Sequence, residues 1–307
     1  MTDATTPILH HYDRSPFAEK ARILLGIKGL DWGSVDIPMM MPKPDLMPLT
    51  GGYRKTPVMQ IGADIYCDTQ LITDVLEARQ PDPGFYPDDN RGAAMGMLRW
   101  SESAFFRASV GSVFGTIIET LPPEFLKDRS EFGGAPLDVD MVKAAQPHSI
   151  AQWRAFTGWV DAQLADGRDF FFGDAPGAVD ASLYMHVWFV SAVLSAELTG
   201  IGVFRHVQPW AARVGAIKHG NPSPLPSSNA LDIAQSADPR ETEGTVAGRF
   251  SSGDTVTVTP DDNGRVPVAG RLVRADDGRI TVLRTDDRVG DVAVHFPRAG
   301  FIIAPAG

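Results

Sequence analysis

The apolar period changes twice along this chain, and each change limits the architectures open to it. Residues 1–80 alternate short extended runs with helical patterns, residues from about Arg91 to Leu231 carry helical periods alone, and after Gly244 apolar and polar residues alternate singly. A period near 3.6 buries one face of a helix, whereas a period of 2 buries one face of a strand. One bundle or one barrel cannot satisfy all three regimes. The chain therefore reads as an α+β multidomain protein divided at 1–85, 86–240 and 241–307.

In the first region an extended run, Ile8 to His11, precedes a helix from Pro16 to Lys28 that aligns Phe17, Ala21, Leu24 and Leu25 on one face. Pro16 suits its first turn. A second extended run, Trp32 to Ile37, leads into a proline-rich loop, Pro38 to Pro48, whose breakers exclude a long helix. Strands at Pro57 to Ile61 and Asp64 to Cys67, turned at Gly62, and a helix that buries Leu71, Ile72, Val75 and Leu76 complete the order βαβ, loop, ββα.

The middle region predicts long helices near 92–120, 140–166, 178–197 and 207–218, with a short one around Asn229 to Ser236. Strand patterns then occupy Thr245 to Phe250, Thr255 to Thr259, Val266 to Arg274, Ile280 to Arg284 and Val292 to Phe296. Asn263-Gly264 and Asp277-Gly278 supply hairpin turns with positive φ. The expectation is a separate small antiparallel β-barrel-like module, able to satisfy its own backbone and docked on the helical region or on a second subunit. Such docking brings Val294, His295, Phe296 and Arg298 toward a substrate pocket.

A net charge of -10 without any basic run disfavours nucleic acid and anionic membrane as partners. The longest apolar stretch, Leu183 to Leu194, is interrupted by His186 and Ser191 and is too short to span a bilayer. A single cysteine, Cys67, and a start without a basic-then-apolar segment fit an intracellular, cytoplasmic chain. No zinc-type spacing of His, Cys, Asp or Glu occurs, so no metal is expected.

Three places hold chemistry. Ser15 precedes a helix whose free N–H groups and positive dipole end favour an anion; it is either a simple cap or a donor to a thiolate. Tyr12 and Arg14 adjoin it as alternative donors. In Tyr53-Arg54-Lys55-Thr56-Pro57-Val58 a loop enters a strand, where proline removes a ladder donor and a cis bond turns neighbouring backbone outward to pair with an extended ligand. Asp68-Thr69 follows a strand and opens a helix: the hydroxyl and backbone N–H suit a carboxylate and the acid suits an ammonium; capping is the alternative, and the place of all three segments at strand ends of one small unit, where a groove can form, favours the site. Cys67 reads as a small buried hydrophobe, and His186 as a satisfied core or pocket-lining histidine. Trp100, Phe105, Phe106 and Arg107 divide between core packing and a pocket wall.

The combination of Ser15-Pro16-Phe17-Ala18-Glu19, Thr56-Pro57-Val58 and Asp68-Thr69 resembles the cytosolic glutathione S-transferase superfamily over roughly residues 7–220. That resemblance implies a thioredoxin-like N-terminal domain followed by an all-helical domain. The first motif resembles omega-like enzymes with serine in place of their cysteine, closer to tau- and zeta-type sites. By the same resemblance Asp68-Thr69 grips the γ-glutamyl end of glutathione, Pro57 is the cis-proline, and the main chain of Val58 pairs with the cysteinyl backbone. Gly173 to Ala181 resembles the family's folding signature, with Gly177 replacing the capping hydroxyl and Asp180 retained. The loop Pro38 to Tyr53 resembles a divergent bacterial and fungal branch.

The resemblance implies a glutathione-dependent transferase of alkyl or aryl groups other than methyl. It would conjugate glutathione to an electrophilic small molecule, as in detoxification, and act as a homodimer. A non-catalytic dimeric adaptor that uses the β module as its docking surface is the alternative.

Overall fold

Burial on both faces drives the first four strands into one sheet. In the computed structural model, which describes residues 4–87 and 90–306 and leaves Met1 to Asp3, Asp88, Asp89 and Gly307 outside, they are β1 (Ile8–His11), β2 (Asp31–Asp36), β3 (Val58–Ile61) and β4 (Asp64–Cys67). Every residue of β1, β3 and β4 is buried. Helix α1 (Pro16–Ile27) crosses over to make β1 and β2 parallel, while β3 and β4 return antiparallel through Gly62 at φ 62°. The expected βαβ, loop, ββα order is present. The loop after β2 contains one short helix, α2 (Met47–Thr50), and α3 (Thr69–Arg79) follows β4.

The helical region contains α4 (Arg91–Trp100), α5 (Phe106–Ile117), α6 (Pro123–Gly133), α7 (Val139–Gln163), α8 (Ala178–Ser191), the short α9 (Ala196–Thr199) and α10 (Val207–Ile217). The single helix expected over 92–120 is instead two, joined by a π-helical turn at Ser101–Phe105. Helix α6 was not expected, because only Phe125 and Asp128 of its residues are buried and the apolar period is faint. Its ends were legible: Pro123 stands at the first turn and Gly134, at φ 75°, closes it. Asp180, at the start of α8, accepts from Gly177 N at 3.0 Å, Phe171 N at 2.8 Å and Trp210 Nε1 at 2.8 Å. A Cβ on Gly177 would lie 2.6 Å from Phe85 O, so a close backbone approach accounts for the missing capping hydroxyl.

Strand β5 (Asn221–Pro224), with two prolines, extends the sheet as an exposed edge beside β2, where a missing N–H costs no ladder bond. Helix α11 (Ser227–Gln235) follows. The chain then forms β6 (Thr255–Pro260), β7 (Val268–Ala275), β8 (Arg279–Asp286), β9 (Gly290–Pro297) and β10 (Phe301–Pro305).

These last strands form the expected antiparallel module, but it continues the N-terminal sheet instead of standing apart from it. β9 pairs in parallel with β4, Ile65 opposite Val294 and Tyr66 opposite His295, giving one ten-stranded sheet in the order β10-β6-β7-β8-β9-β4-β3-β1-β2-β5. No ladder among the described residues joins β10 back to β9, so the strands form an open continuation and not a closed barrel. Val294, His295 and Phe296 are fully buried at this joint, against the N-terminal sheet instead of the helical region. His295 Nε2 meets Asp64 Oδ1 at 3.0 Å and its Nδ1 meets Thr281 Oγ1 at 2.9 Å. The expected strand at 245–250 reduces to one bridge, Val246 to Ala275. Gly264 has the expected positive φ of 61°, whereas the turn at 276–279 is closed by the Asp276 carboxylate, which accepts from Gly278 N and Arg279 N.

Two cores result. One packs α1 and α3 against the helical region; the other joins Val35, Leu46, Leu49 and Tyr53 to Val282, Val294 and Phe296 beneath the opposite sheet face.

Candidate functional site

Sheet register brings the three expected site segments together. His10 lies opposite Val58, and Val58 lies opposite Cys67, so the end of β1, the start of β3 and the end of β4 coincide at one margin of the sheet. Ser15, the Thr56-Pro57 bond and Asp68 follow or precede those strands directly.

Ser15 is the N-cap of α1 and 3% exposed, and its Oγ accepts from Ala18 N at 3.2 Å. The capping role is therefore realised, yet no acceptor among the described residues takes the hydroxyl proton. Tyr12 is half-buried and Arg14 exposed on the same turn, where Ser15 N donates to Tyr12 O at 3.2 Å.

Asp68 is the N-cap of α3 at φ 78°, ψ 141°, a positive-φ conformation outside the left-handed helical region that is strained for a residue other than glycine. Its Oδ1 accepts from Gln70 N at 2.9 Å. Thr69, 4% exposed, accepts through Oγ1 from Lys20 Nζ at 3.2 Å. Lys20, fully buried on α1, also forms an ion pair with Glu102 of the π turn. Burial pushes the Glu102 carboxyl up, with Lys20 opposing that shift.

The Thr56-Pro57 bond is cis. Val58 is held inside the ladder between β1 and β4, while Thr56 makes no backbone hydrogen bond among the described residues. The main-chain groups of Thr56 thus stand outside the ladder at this margin.

The sequence assigns no role to the cations beside it. Lys43, 3% exposed, reaches from the proline-rich loop to donate to Thr56 Oγ1 at 2.9 Å and Arg54 O at 3.1 Å, with its ammonium 5.8 Å from the Tyr12 ring centre. Burial, with Arg129 and Arg54 nearby, lowers the Lys43 ammonium from its usual range to about 8. Arg54 pairs with Asp128 of α6, and Arg54 Nε and Asp128 Oδ2 take no hydrogen-bond partner among the described residues. Arg129 Nη1 stands 3.9 Å from Asp128 Oδ2. Two arginines thus hold one carboxylate, and with the neighbouring Lys43 the positive charges outnumber it, an arrangement fit for an anion. The available signal was a lysine between prolines in a loop that returns to a strand end.

Between α1 and the helical region, Phe17 and Phe106 meet with ring centres 4.7 Å apart. Phe105 is buried and stacks on His186 at 4.2 Å, Trp100 is half-buried and Arg107 exposed. His186 is satisfied by Ser101 Oγ at 2.9 Å and Ser109 Oγ at 3.0 Å, and burial lowers its pKa to about 3, so it is a neutral core residue. Burial pushes the Cys67 thiol well up. No cluster among the described residues has the donors for a metal ion, and no helix of the described residues is long and apolar enough to cross a membrane.

The profile of the glutathione S-transferase N-terminal domain matches residues 9–84, and that of the C-terminal domain matches residues 143–213. A solved structure of a GST-like protein from Pseudomonas syringae is 38% identical; the likeness covers 98% of this chain and 100% of that one, with a TM-score of 0.78. The chain belongs to the glutathione S-transferase superfamily. Its N-terminal domain is thioredoxin-like, its middle domain is the helical domain of that superfamily, and the likeness to the Pseudomonas syringae protein extends over the C-terminal strands. Glutathione S-transferase III in apo form is similar in fold at 20% identity, covering 69% of this chain and 92% of that one at TM-score 0.53. A glutathione transferase family member from Pseudomonas fluorescens pf-5, with two glutathione bound, is similar at 14% identity, covering 69% and 89% at TM-score 0.53. A search of curated proteins found no significant match.

Proposed function

We infer that this glutathione S-transferase-family chain binds glutathione at the sheet margin and conjugates it to an electrophilic small molecule. The observation that carries the reading is the convergence, through the register His10, Val58, Cys67, of groups suited to each part of a γ-glutamyl tripeptide. Asp68 suits the ammonium, and Thr69 with the α3 N-terminus suits the γ-glutamyl carboxylate. Thr56, beside Pro57, offers unpaired main-chain groups to the cysteinyl backbone; Val58, locked in the ladder and fully buried, anchors the strand behind it. Lys43 and Arg54 suit the glycyl carboxylate. Ser15 keeps a hydroxyl proton for the sulfur, aided by the α1 dipole, and lowering a thiol pKa from ~8.5 toward ~6–7 raises the thiolate fraction at neutral pH more than tenfold. The acceptor lies between the Ser15 site and the helices near Phe105 and Phe106, beside the contacting Phe17 and Phe106 rings.

The reading carries with it a homodimer acting in the cytoplasm. For the adaptor alternative, in which the β module is the docking surface, the β9 edge of that module is already paired with β4.

Isothermal titration with glutathione tests this, with a dissociation constant of ~1 mM or tighter expected. Asp68→Ala weakens it by about 1.5–3 kcal/mol through loss of a charge-assisted hydrogen bond. Heatless titration, or an affinity indifferent to Asp68, rejects the assignment. Turnover of 1-chloro-2,4-dinitrobenzene with glutathione separates the transferase from the adaptor.

A further inference from the structure

We propose that the C-terminal strands are a positioning device for the glycyl end of the glutathione site, acting through Arg284 and Arg288 on the loop that carries Lys43. The inference rests on the glutathione reading above and assigns work to a region outside both family profiles.

The mechanical chain is continuous. Lys43 O accepts from Leu46 N and Met47 N, both at 3.1 Å, so the direction of the Lys43 side chain depends on where α2 sits. Helix α2 is one turn long, and such a turn has no stability of its own in water. Its location comes from outside. Arg284 of β8 donates from Nη1 to Pro48 O, within α2, and packs so tightly on the helix end that a Cβ on Gly51 would lie 2.7 Å from Arg284 Nε. A cation at the C-terminal end of a helix also complements its carbonyls. Arg288, after β8, donates to Pro44 O at 3.0 Å and pairs with Asp45 Oδ1 at 2.8 Å. Those two residues immediately follow Lys43.

The other arm of the loop is held likewise. Tyr53 is 1% exposed, with ring centres 5.9 Å from Phe296 and 6.2 Å from Phe301, and Lys55 pairs with Asp262 of the β6–β7 turn. Asp45 has a further partner in Ser227 Oγ at 2.6 Å, so its carboxylate does not depend on Arg288 alone. The strands thus grip both sides of the segment from Lys43 to Thr56 without themselves contributing a group to its cationic end.

The test uses two ligands of the full chain, glutathione and γ-glutamylcysteine, which lacks the glycyl carboxylate. If Arg284 and Arg288 position Lys43, Arg284→Ala/Arg288→Ala weakens glutathione about tenfold or more and γ-glutamylcysteine less than about twofold. A role in stability alone lowers the folded fraction and moves both ligands together. Arg288→Ala by itself, at a side chain 49% exposed, gives the same one-sided loss in smaller degree and decides the matter where the double variant does not fold. Wild-type protein that binds neither ligand overturns the glutathione reading and this inference with it. Wild-type protein that binds both, with variants that change both equally or neither, overturns this inference alone.

Discussion

Lys20 Nζ stands between Thr69 Oγ1, at 3.2 Å, and the carboxylate of Glu102, so one buried cation ties the start of α3 to the π turn between α4 and α5. The pair crosses from the thioredoxin-like domain to the helical domain directly behind Asp68 and Thr69. Glu102→Gln leaves Lys20 without its counter-charge in a site where the lysine is fully buried. Breaking a buried pair on one side costs about 3–5 kcal/mol, and the 16% exposure of Glu102 places the expected loss near the lower value. Urea unfolding measures it. The double variant Lys20→Met/Glu102→Leu recovers much of that loss, since no lone charge remains; a Glu102→Gln loss below about 1 kcal/mol shows that water already solvates Lys20.

Ser15→Ala separates two roles that coexist in one oxygen. As acceptor from Ala18 N, the side chain caps α1, and its removal costs about 0.5–2 kcal/mol of stability. As donor it has no partner among the described residues, and the proposed site gives its proton to the glutathione sulfur. The expected outcome is slower turnover with nearly unchanged glutathione affinity. Ultraviolet titration of the bound thiol reads the donor role directly: an identical thiol pKa in both proteins removes Ser15 as activator and turns attention to Tyr12 and Arg14.

Lys43 gives the site a pH dependence with a defined sign. Its ammonium is lowered to about 8 in the free protein, and the charged form is the one that meets a carboxylate. Affinity for S-methylglutathione, which has no thiol to titrate, therefore falls as pH rises through 8. The same lysine titrates higher in the unfolded chain, so between about 8 and 10.4 the unfolded state binds the extra proton and this residue's penalty on folding is relieved as pH rises. Lys43→Arg keeps the charge throughout, and its binding curve stays flat across the pH 8 region except for the ligand's own amine. A wild-type curve that matches it assigns the dependence to the ligand.

The thioredoxin-like order was legible because each of its elements announces itself locally. Pro16 opens α1, Gly62 turns β3 into β4, and Leu71, Ile72, Val75 and Leu76 mark one face of α3. Ser15, Pro57 and Asp68 were legible as a group because each adjoins a strand end. The anion-binding end was hidden: Lys43 and Arg54 share one loop, but Asp128 and Arg129 come from α6, and only the packing of α6 on that loop brings them together. The β4–β9 pairing was hidden for a related reason. Alternation along Val292 to Phe296 shows that a strand exists, but nothing in a strand's own residues names a partner more than 200 positions away. The short α9 and the proline-bearing β5 lack any period to read.

That long-range pairing reverses what local hairpin signals imply about truncation. A chain ending at Gly244 retains every proposed glutathione-binding residue, yet it uncovers the edge of β4, whose Ile65 and Tyr66 pair with Val294 and His295 in the intact sheet. Asp64 loses its contact with His295 and keeps only the backbone donors Arg240 N and Glu241 N. Leu46, Leu49, Tyr53 and Ile65 lose their cover from the second core. At about 1.5–3 kcal/mol for each such side chain, the sum approaches the whole stability of an ordinary domain, about 5–15 kcal/mol. An unpaired edge of this kind is also a template for intermolecular strand pairing. The truncated protein is therefore expected to be largely insoluble, or soluble with a thermal midpoint at least about 10 °C lower and no measurable glutathione binding. Soluble yield, circular dichroism on heating and titration with glutathione check this together: a cooperative, glutathione-binding fragment would show that the β4 edge stands without β9 and that the loop at Lys43 holds its place unaided.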